Sequence, residues 1–90
     1  MAWTVEISAF AQKQLRKLDK PVAERILNWL DDRIESCKNP RHFGAALSGE
    51  SAGLWRYRVG DFRVICEIRD QRLVVLALAI GHRREIYRKR

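Results

Sequence analysis

The sequence predicts one α+β domain over residues 1–90, in which an N-terminal helical hairpin packs on one face of a small, mainly antiparallel four-stranded sheet. Apolar residues make up 47% of the 90 residues, which is enough for one modest core. Helical spacing of apolar residues is confined to residues 9–34, and strand-like patterns precede and follow it. The predicted order is therefore βααβββ with a short C-terminal helix or tail.

The N-terminal half contains the predicted strand and the two helices. Trp3–Ile7 alternates and is rich in β-forming residues, so it predicts a strand, and Ser8 is a suitable N-cap for the helix that follows. The apolar face of this first helix consists of Ala11, Leu15 and Leu18. Asp19–Pro21 interrupts the pattern before a second amphipathic helix. Its apolar face consists of Val22, Ile26, Trp29, Leu30 and Ile34.

The C-terminal half predicts a hairpin and a central strand after a glycine-containing loop. In LWRYRVGDFRVICEI, Gly60–Asp61 is a candidate two-residue turn between two alternating strands. The predicted core face of the hairpin consists of Trp55, Tyr57, Val59, Phe62, Val64, Cys66 and Ile68. A turn at Asp70–Gln71 precedes Leu73–Ile80, which is apolar at every position and predicts a central strand covered on both faces and ended by Gly81.

The charge of the chain favours a polyanionic partner, of which nucleic acid is the usual one. The net charge is +7, and the excess is concentrated in residues 46–90, where ten Lys and Arg stand against five Asp and Glu. No apolar run approaches the roughly 18 residues that span a bilayer. Only two histidines are present and CxxC spacing is absent, so we expect no metal and no cofactor. Two cysteines that resemble small hydrophobic residues favour a reducing cytoplasm.

Alternation along the predicted hairpin places Arg56, Arg58 and Arg63 on the face opposite the apolar residues. With a tight turn at Gly60–Asp61, Arg58 lies nearly opposite Arg63 on the neighbouring strand. Like charges in such positions destabilise the fold. The fold itself does not require this arrangement, whereas an anion bound between the two guanidinium groups would relieve the repulsion.

The C-terminal stretch GHRREIYRKR adds further candidates beside this face. Arg83 follows the end of the last strand, and Tyr87 lies among cations. A phenol titrates near ~10 in water, but neighbouring guanidinium groups favour its phenolate form and make it a candidate general base. His82 is the alternative, because an imidazole titrates near ~6.5. Further cations that could contact phosphate groups are Arg84, Arg88 and Lys89.

With these motifs, the chain resembles the RelE toxins of the RelE/ParE superfamily, the toxic halves of bacterial toxin–antitoxin pairs. The resemblance is carried by the order βααβββ, by FRV after the hairpin turn and by GHRREIY after the last strand. It implies a RelE-like, microbial-RNase-type fold and a metal-independent endoribonuclease that cuts mRNA in the A site of the 70S ribosome. A RelB-like antitoxin is the implied protein partner.

The resemblance also implies roles for individual residues. Arg63 matches an arginine that stabilises the scissile phosphate, and Arg83 matches one assigned to phosphate stabilisation or to protonation of the leaving group. Tyr87 matches the proposed general base. Arg56 and Arg58 stand where the best-known member has two lysines, which keeps the charge but changes its geometry.

Two other functions remain open on the sequence. A ParE-like toxin would share the fold and poison DNA gyrase by protein–protein contact without a catalytic site. A basic RNA-binding module would bind RNA without cleaving it. The convergence of arginines and a candidate base favours the nuclease.

Overall fold

The computed structural model describes residues 2–84, and it contains two helices on one face of a five-stranded sheet. The strands are β1 (Thr4–Ile7), β2 (Ala45–Ala46), β3 (Trp55–Val59), β4 (Phe62–Arg69) and β5 (Val74–His82). The helices are α1 (Ala9–Arg16) and α2 (Lys20–Ile34). The sheet order is β1-β5-β4-β3-β2, with β1 parallel to β5 and the other pairs antiparallel. The α+β class and the helical hairpin are confirmed, whereas the number of strands is corrected from four to five.

Both helices begin and pack as their apolar spacing predicts. The Ser8 hydroxyl accepts a hydrogen bond from the backbone N–H of Ala11 at 3.0 Å and so caps α1. The second helix starts at Lys20, with Pro21 in its first turn, where a missing N–H costs nothing. Buried side chains from the helices meet those of the sheet in a core that comprises Ala11, Leu15, Ile26, Leu30, Ile34, Tyr57, Val64, Cys66, Val75, Ala77 and Ile80, among others.

The strand β5 differs from its prediction in its bounds and in its cover. It begins at Val74, because Leu73 adopts a left-handed conformation with φ of 55° at the end of the preceding turn, and it continues through Gly81 to His82. On the face away from the helices, Leu76 and Leu78 are only partly buried. The strand β5, which lies second in the sheet order with β4 at the centre, is therefore covered fully on one face alone within the described residues.

The helix α1 covers the part of the β5 edge that extends past the end of β1. The register of β4 against β5 shifts between Ile65 and Cys66, which leaves Leu78 as an extra residue in β5. The Ser8 hydroxyl donates to the carbonyl of Leu78 at 3.1 Å, and the side-chain oxygen of Gln14 accepts from the N–H of Ile80 at 2.6 Å. Backbone groups that would otherwise lack a strand partner are thereby satisfied by side chains of the helix.

Candidate nucleic-acid interface

The strands β3 and β4 place three arginines on the side of the sheet that the helices do not cover. Tyr57, Val59 and Val64 are buried on the helix side, so alternation directs the intervening residues to the other side. We call the surface formed there by Arg56, Arg58 and Arg63 the arginine face. Arg58 lies directly opposite Arg63 in the register, as the turn at Gly60–Asp61 predicts.

The neighbour of Arg63 on its other side is Gly81 of β5. Because Gly81 has no side chain, the surface beside Arg63 stays unobstructed near the turn, at the end of β4 and β5. In the register, Arg63 thus lies between Arg58 on one side and a bare stretch of backbone on the other, where a compact anion could approach closely.

The Arg63 guanidinium turns back towards the hairpin turn. Its Nη1 donates to the carbonyl oxygens of Gly60 at 3.3 Å and Phe62 at 3.2 Å. A guanidinium has five N–H donors, so these two bonds leave several of them free within the described residues. The Arg63 side chain is therefore fixed in direction while it keeps donors for a ligand.

Acidic side chains do not neutralise the arginine face. Within residues 2–84 the ion pairs shorter than 4.0 Å join Arg41 to Asp70 and Arg69 to Glu67. The first pair is bidentate, and its hydrogen bond from Arg41 holds the pKa of Asp70 below its usual range. The second pair lies on the same side of the sheet as Arg63, since Glu67 alternates with it along β4, but the Glu67 carboxylate bonds Arg69 and forms no ion pair with the arginine face. The positive charge of the arginine face is therefore available to a ligand.

Arg56 has a buried donor that lacks a partner. Its Nε is inaccessible to solvent and makes no hydrogen bond within the described part of the chain. Beside it lies a cavity of about 320 Å³, lined by Trp29, Phe43, Gly44, Ala45, Arg56 and Arg58. A donor that is buried without an acceptor costs free energy.

Arg83 lies at the hairpin turn. Its backbone N–H donates to the carbonyl of Asp61 at 2.8 Å, which extends the pairing of β5 with β4 by one residue. Counted along this pairing, Arg83 stands two residues after Gly81 and hence on the side of Arg63. Its side chain is exposed. The structure thus brings Arg83 to the end of the arginine face.

His82 lies on the opposite side of the sheet from Arg63. It pairs with Phe62, and the two rings meet edge to face with centroids 5.6 Å apart. Its Nδ1 accepts from the backbone N–H of Arg84 at 3.1 Å. A groove of about 470 Å³ on this helix side is lined by Phe10, Lys13, Gln14, Lys17, Leu18, Phe62, Ile80, Gly81 and His82. His82 is therefore not brought together with the arginine face, and Arg84 is exposed beside it.

Tyr87, Arg88 and Lys89 lie outside the described residues. The other tyrosine, Tyr57, lies within the described residues and is buried in the core, where its hydroxyl donates to the carbonyl of Pro40 at 2.8 Å. Burial raises the pKa of Tyr57 well above its usual value, so it cannot serve as a base near neutral pH.

The sequence pattern missed one arginine of this region. Arg25 lies on α2, and helical periodicity indicates no more than an outward side chain. In the structure its guanidinium rests against the turn: a Cβ added to Gly60 would stand 3.1 Å from its Nη2. No local pattern could have found this contact, because it joins residues 35 positions apart.

Neither a metal site nor a membrane span is evident in the part of the chain that the structure describes. No three His, Cys, Asp or Glu side chains in residues 2–84 are grouped so that they could hold a metal ion. The helices in the same range are too short or too polar to cross a bilayer.

Comparison with known proteins gives concordant results. A family model described as the ParE toxin of the type II toxin–antitoxin system parDE matches residues 5–87. The chain is 28% identical to Toxin RelG of Mycobacterium tuberculosis over 89 residues, which cover 99% of this chain and all of that protein.

Solved structures resemble the chain over nearly their whole length. The RelBE2 toxin–antitoxin complex of M. tuberculosis contains a chain with a TM-score of 0.81 and 25% identity, and the match covers 91% of this chain and 92% of that one. For the archaeal RelE–RelB complex of Pyrococcus horikoshii OT3 the TM-score is 0.70 with 28% identity, and the match covers 94% of this chain and 99% of that one. The isolated E. coli RelE toxin shares the fold, with a TM-score of 0.68 and 22% identity. The match covers 90% of this chain and 84% of that one.

Proposed function

The chain belongs to the ParE toxin family of type II toxin–antitoxin systems, within the RelE/ParE superfamily, and on this premise we propose that it is an endoribonuclease that cleaves mRNA in the ribosomal A site. One domain over residues 1–90 acts in the cytoplasm, where it meets translating 70S ribosomes. The observation that carries the proposal is the Arg58–Arg63 pair on the uncovered face, beside Gly81 and without acidic partners in the described residues.

In the proposed reaction the 2′-oxygen of one nucleotide attacks the adjacent phosphorus. The 2′-O–P bond forms and the P–O5′ bond breaks, which yields a cyclic phosphate and a 5′-hydroxyl. Negative charge grows on the phosphate oxygens, and fixed guanidinium groups stabilise it without reorganisation. Only RNA supplies the internal nucleophile, so DNA is inert.

The individual roles follow from the positions of the side chains. Arg63 is fixed in direction by the turn, so we assign it to the phosphate oxygens, with Arg58 opposite it as a second donor. Arg83, held at the turn by Asp61, approaches the same phosphate from the end of the sheet. A guanidinium remains protonated at neutral pH, which favours charge stabilisation over proton transfer for these residues.

The proton of the 2′-hydroxyl goes to the phenolate oxygen of Tyr87 in this proposal, and the 5′-oxygen takes up a proton from water as it leaves. His82, the other candidate base, is disfavoured because it lies against Phe62 on the helix side of the sheet. Arg56, Arg84, Arg88 and Lys89 are proposed to contact neighbouring phosphate groups.

Mapping of mRNA ends tests the proposal. Brief expression of the protein, followed by primer extension on cellular mRNA, should show new 5′ ends within codons at the A site. Arg83→Ala and Tyr87→Phe should abolish the cuts and the toxicity while the circular dichroism spectrum stays unchanged. Arg72→Gln is a matched control, since this exposed cation lies at the other end of β4, about 27 Å from the turn. Cleavage by Tyr87→Phe at the parental rate would exclude Tyr87 as the base.

A second candidate function has support from the description of the matching family model, which names ParE. A ParE-like toxin would stall DNA gyrase on DNA and leave mRNA intact. The same cells therefore distinguish the candidates: cuts at the A site support the nuclease, and trapped gyrase–DNA complexes with intact mRNA support the gyrase poison. Salt-sensitive RNA binding with neither outcome indicates a non-catalytic RNA-binding module.

The proposed protein partner is a small RelB-like antitoxin. The RelBE2 and archaeal RelE–RelB structures, which this chain resembles, are complexes of a toxin with its antitoxin. An acidic, disordered segment that folds on binding would match the basic arginine face.

A further inference from the structure

The β3–β4 turn is contacted by guanidinium groups from two directions. Arg63 Nη1 donates to the carbonyl of Gly60 at 3.3 Å from within the sheet. On the α2 side, three atoms of the Arg25 guanidinium lie 3.1–3.3 Å from the position that a Cβ of Gly60 would occupy. Arg83 is tied to Asp61, the next residue of the turn. Three cationic side chains thus originate around one two-residue turn.

The contact with Gly60 gives Arg25 a defined place without using its donors. Within the described residues Arg25 makes no ion pair shorter than 4.0 Å, and none of its N–H groups has a hydrogen-bond partner. An arginine that is held by packing and keeps its donors free is suited to a ligand with several acceptor oxygens. A phosphate group is such a ligand.

The sole acidic residue of the turn is Asp61, whose carboxylate forms no ion pair in the described part of the chain. One carboxylate beside three arginines leaves a net positive charge at the turn. This charge is continuous with the arginine face, since Arg63 belongs to both. A single strand of RNA that crosses the sheet over Arg58 and Arg63 would meet Arg25 as it leaves at the turn.

We propose that Arg25 is a further RNA-contacting residue, which binds the phosphate next to the one at Arg63 and positions the strand for the reaction. The inference rests on the proposed function, because it assumes that RNA crosses the arginine face. Arg25 is a positioning residue and does not touch the reacting atoms.

Binding of a single-stranded RNA with 2′-deoxy substitution at its cleavable position tests the inference, because binding is then measured whether or not the protein cleaves RNA. Each phosphate contact to a single strand contributes about 0.7 to the slope of log K against log salt concentration. Arg25→Gln should reduce the slope by about 0.7, and Arg25→Lys should restore it because the positive charge is kept. Arg72→Gln, with the same loss of charge far from the turn, should leave the slope unchanged.

Kinetics on translating ribosomes provide a second readout. Arg25→Gln should raise KM and leave kcat close to the parental value, whereas Arg63→Gln should lower kcat. An unchanged slope for Arg25→Gln, or an equal reduction for Arg72→Gln, would overturn the inference while the mapped mRNA ends still support the nuclease. If Arg25→Gln loses affinity for a polyglutamate peptide and keeps its RNA binding, the inference is likewise overturned, and Arg25 is assigned to an acidic protein partner.

Discussion

Replacement of Arg58 by Gln should stabilise the free protein and weaken its activity. Arg58 and Arg63 lie directly opposite one another in β3 and β4, and neither has an acidic partner within 4.0 Å in the described residues. The arrangement therefore costs folding free energy in the absence of RNA, and the variant removes one of the two charges.

The size of the gain follows from the geometry of the pair. Opposite residues of antiparallel strands have Cβ atoms about 5 Å apart, and two unit charges at that distance in water repel by roughly 0.8 kcal/mol. Flexible arginine side chains can separate further, so we expect an increase in the free energy of unfolding of about 0.2–0.8 kcal/mol at low salt. At 1 M salt the Debye length of about 3 Å is shorter than the separation, and the gain should disappear.

Urea denaturation measures the repulsion between Arg58 and Arg63 when four proteins are compared: the parent, Arg58→Gln, Arg63→Gln and the double variant. The double variant should gain less than the sum of the single changes, because either change alone relieves the same repulsion. Additive effects at low salt, or a gain that persists at 1 M salt, would refute the reasoning. In the mRNA assay both single variants should lose cleavage. For Arg58→Gln, stability and activity should therefore move in opposite directions, whereas Arg63→Gln also loses the hydrogen bonds of its Nη1 to Gly60 and Phe62.

Three further predictions, at Gln14, Tyr57 and Gly60, test other parts of the structure. Gln14→Leu should lower the free energy of unfolding by about 1–3 kcal/mol in urea, because the N–H of Ile80 loses its acceptor, whereas Gln14→Glu keeps an acceptor oxygen and should lose less. Tyr57→Phe should cost about 1–3 kcal/mol by leaving a buried carbonyl unpaired, yet cleave mRNA normally. Since burial raises the pKa of Tyr57, the parent should lose stability as pH rises above about 10, where the unfolded phenol ionises, and the Phe variant should lack this decline. Gly60→Ala and Gly49→Ala should each lower stability by about 1–2 kcal/mol, because both glycines have positive φ, but only the change at Gly60 should also weaken RNA binding.

Local patterns predicted the larger elements of this fold. The apolar spacing predicted the helices α1 and α2. The Gly60–Asp61 turn predicted the β3–β4 hairpin and, with it, the Arg58–Arg63 pairing. The strand β2 was missed because Ala45–Ala46 is two residues long and contains no strong β-former. Its pairing with β3 depends on how the loop folds back, which no periodicity expresses.

The details around β5 depend on tertiary contacts. The uniformly apolar run did not show that Leu78 is an extra residue, because such an irregularity leaves no mark on a pattern without alternation. The contact between Arg25 and Gly60 likewise joins a helix to a distant turn. Tyr87, by contrast, remains a prediction of the sequence, since it lies outside the described residues.

The hydrogen bonds of Ser8 and Gln14 to β5 make the first helix a support for a distant arginine. They hold the strand on the side that β1 leaves open, and the strand ends at His82, one residue before Arg83. A genetic selection for bacteria that survive expression of this protein should therefore recover lesions in α1 as well as at the arginines. Such survivors would carry a toxin that is harmless because its scaffold has loosened, with every cation still in place.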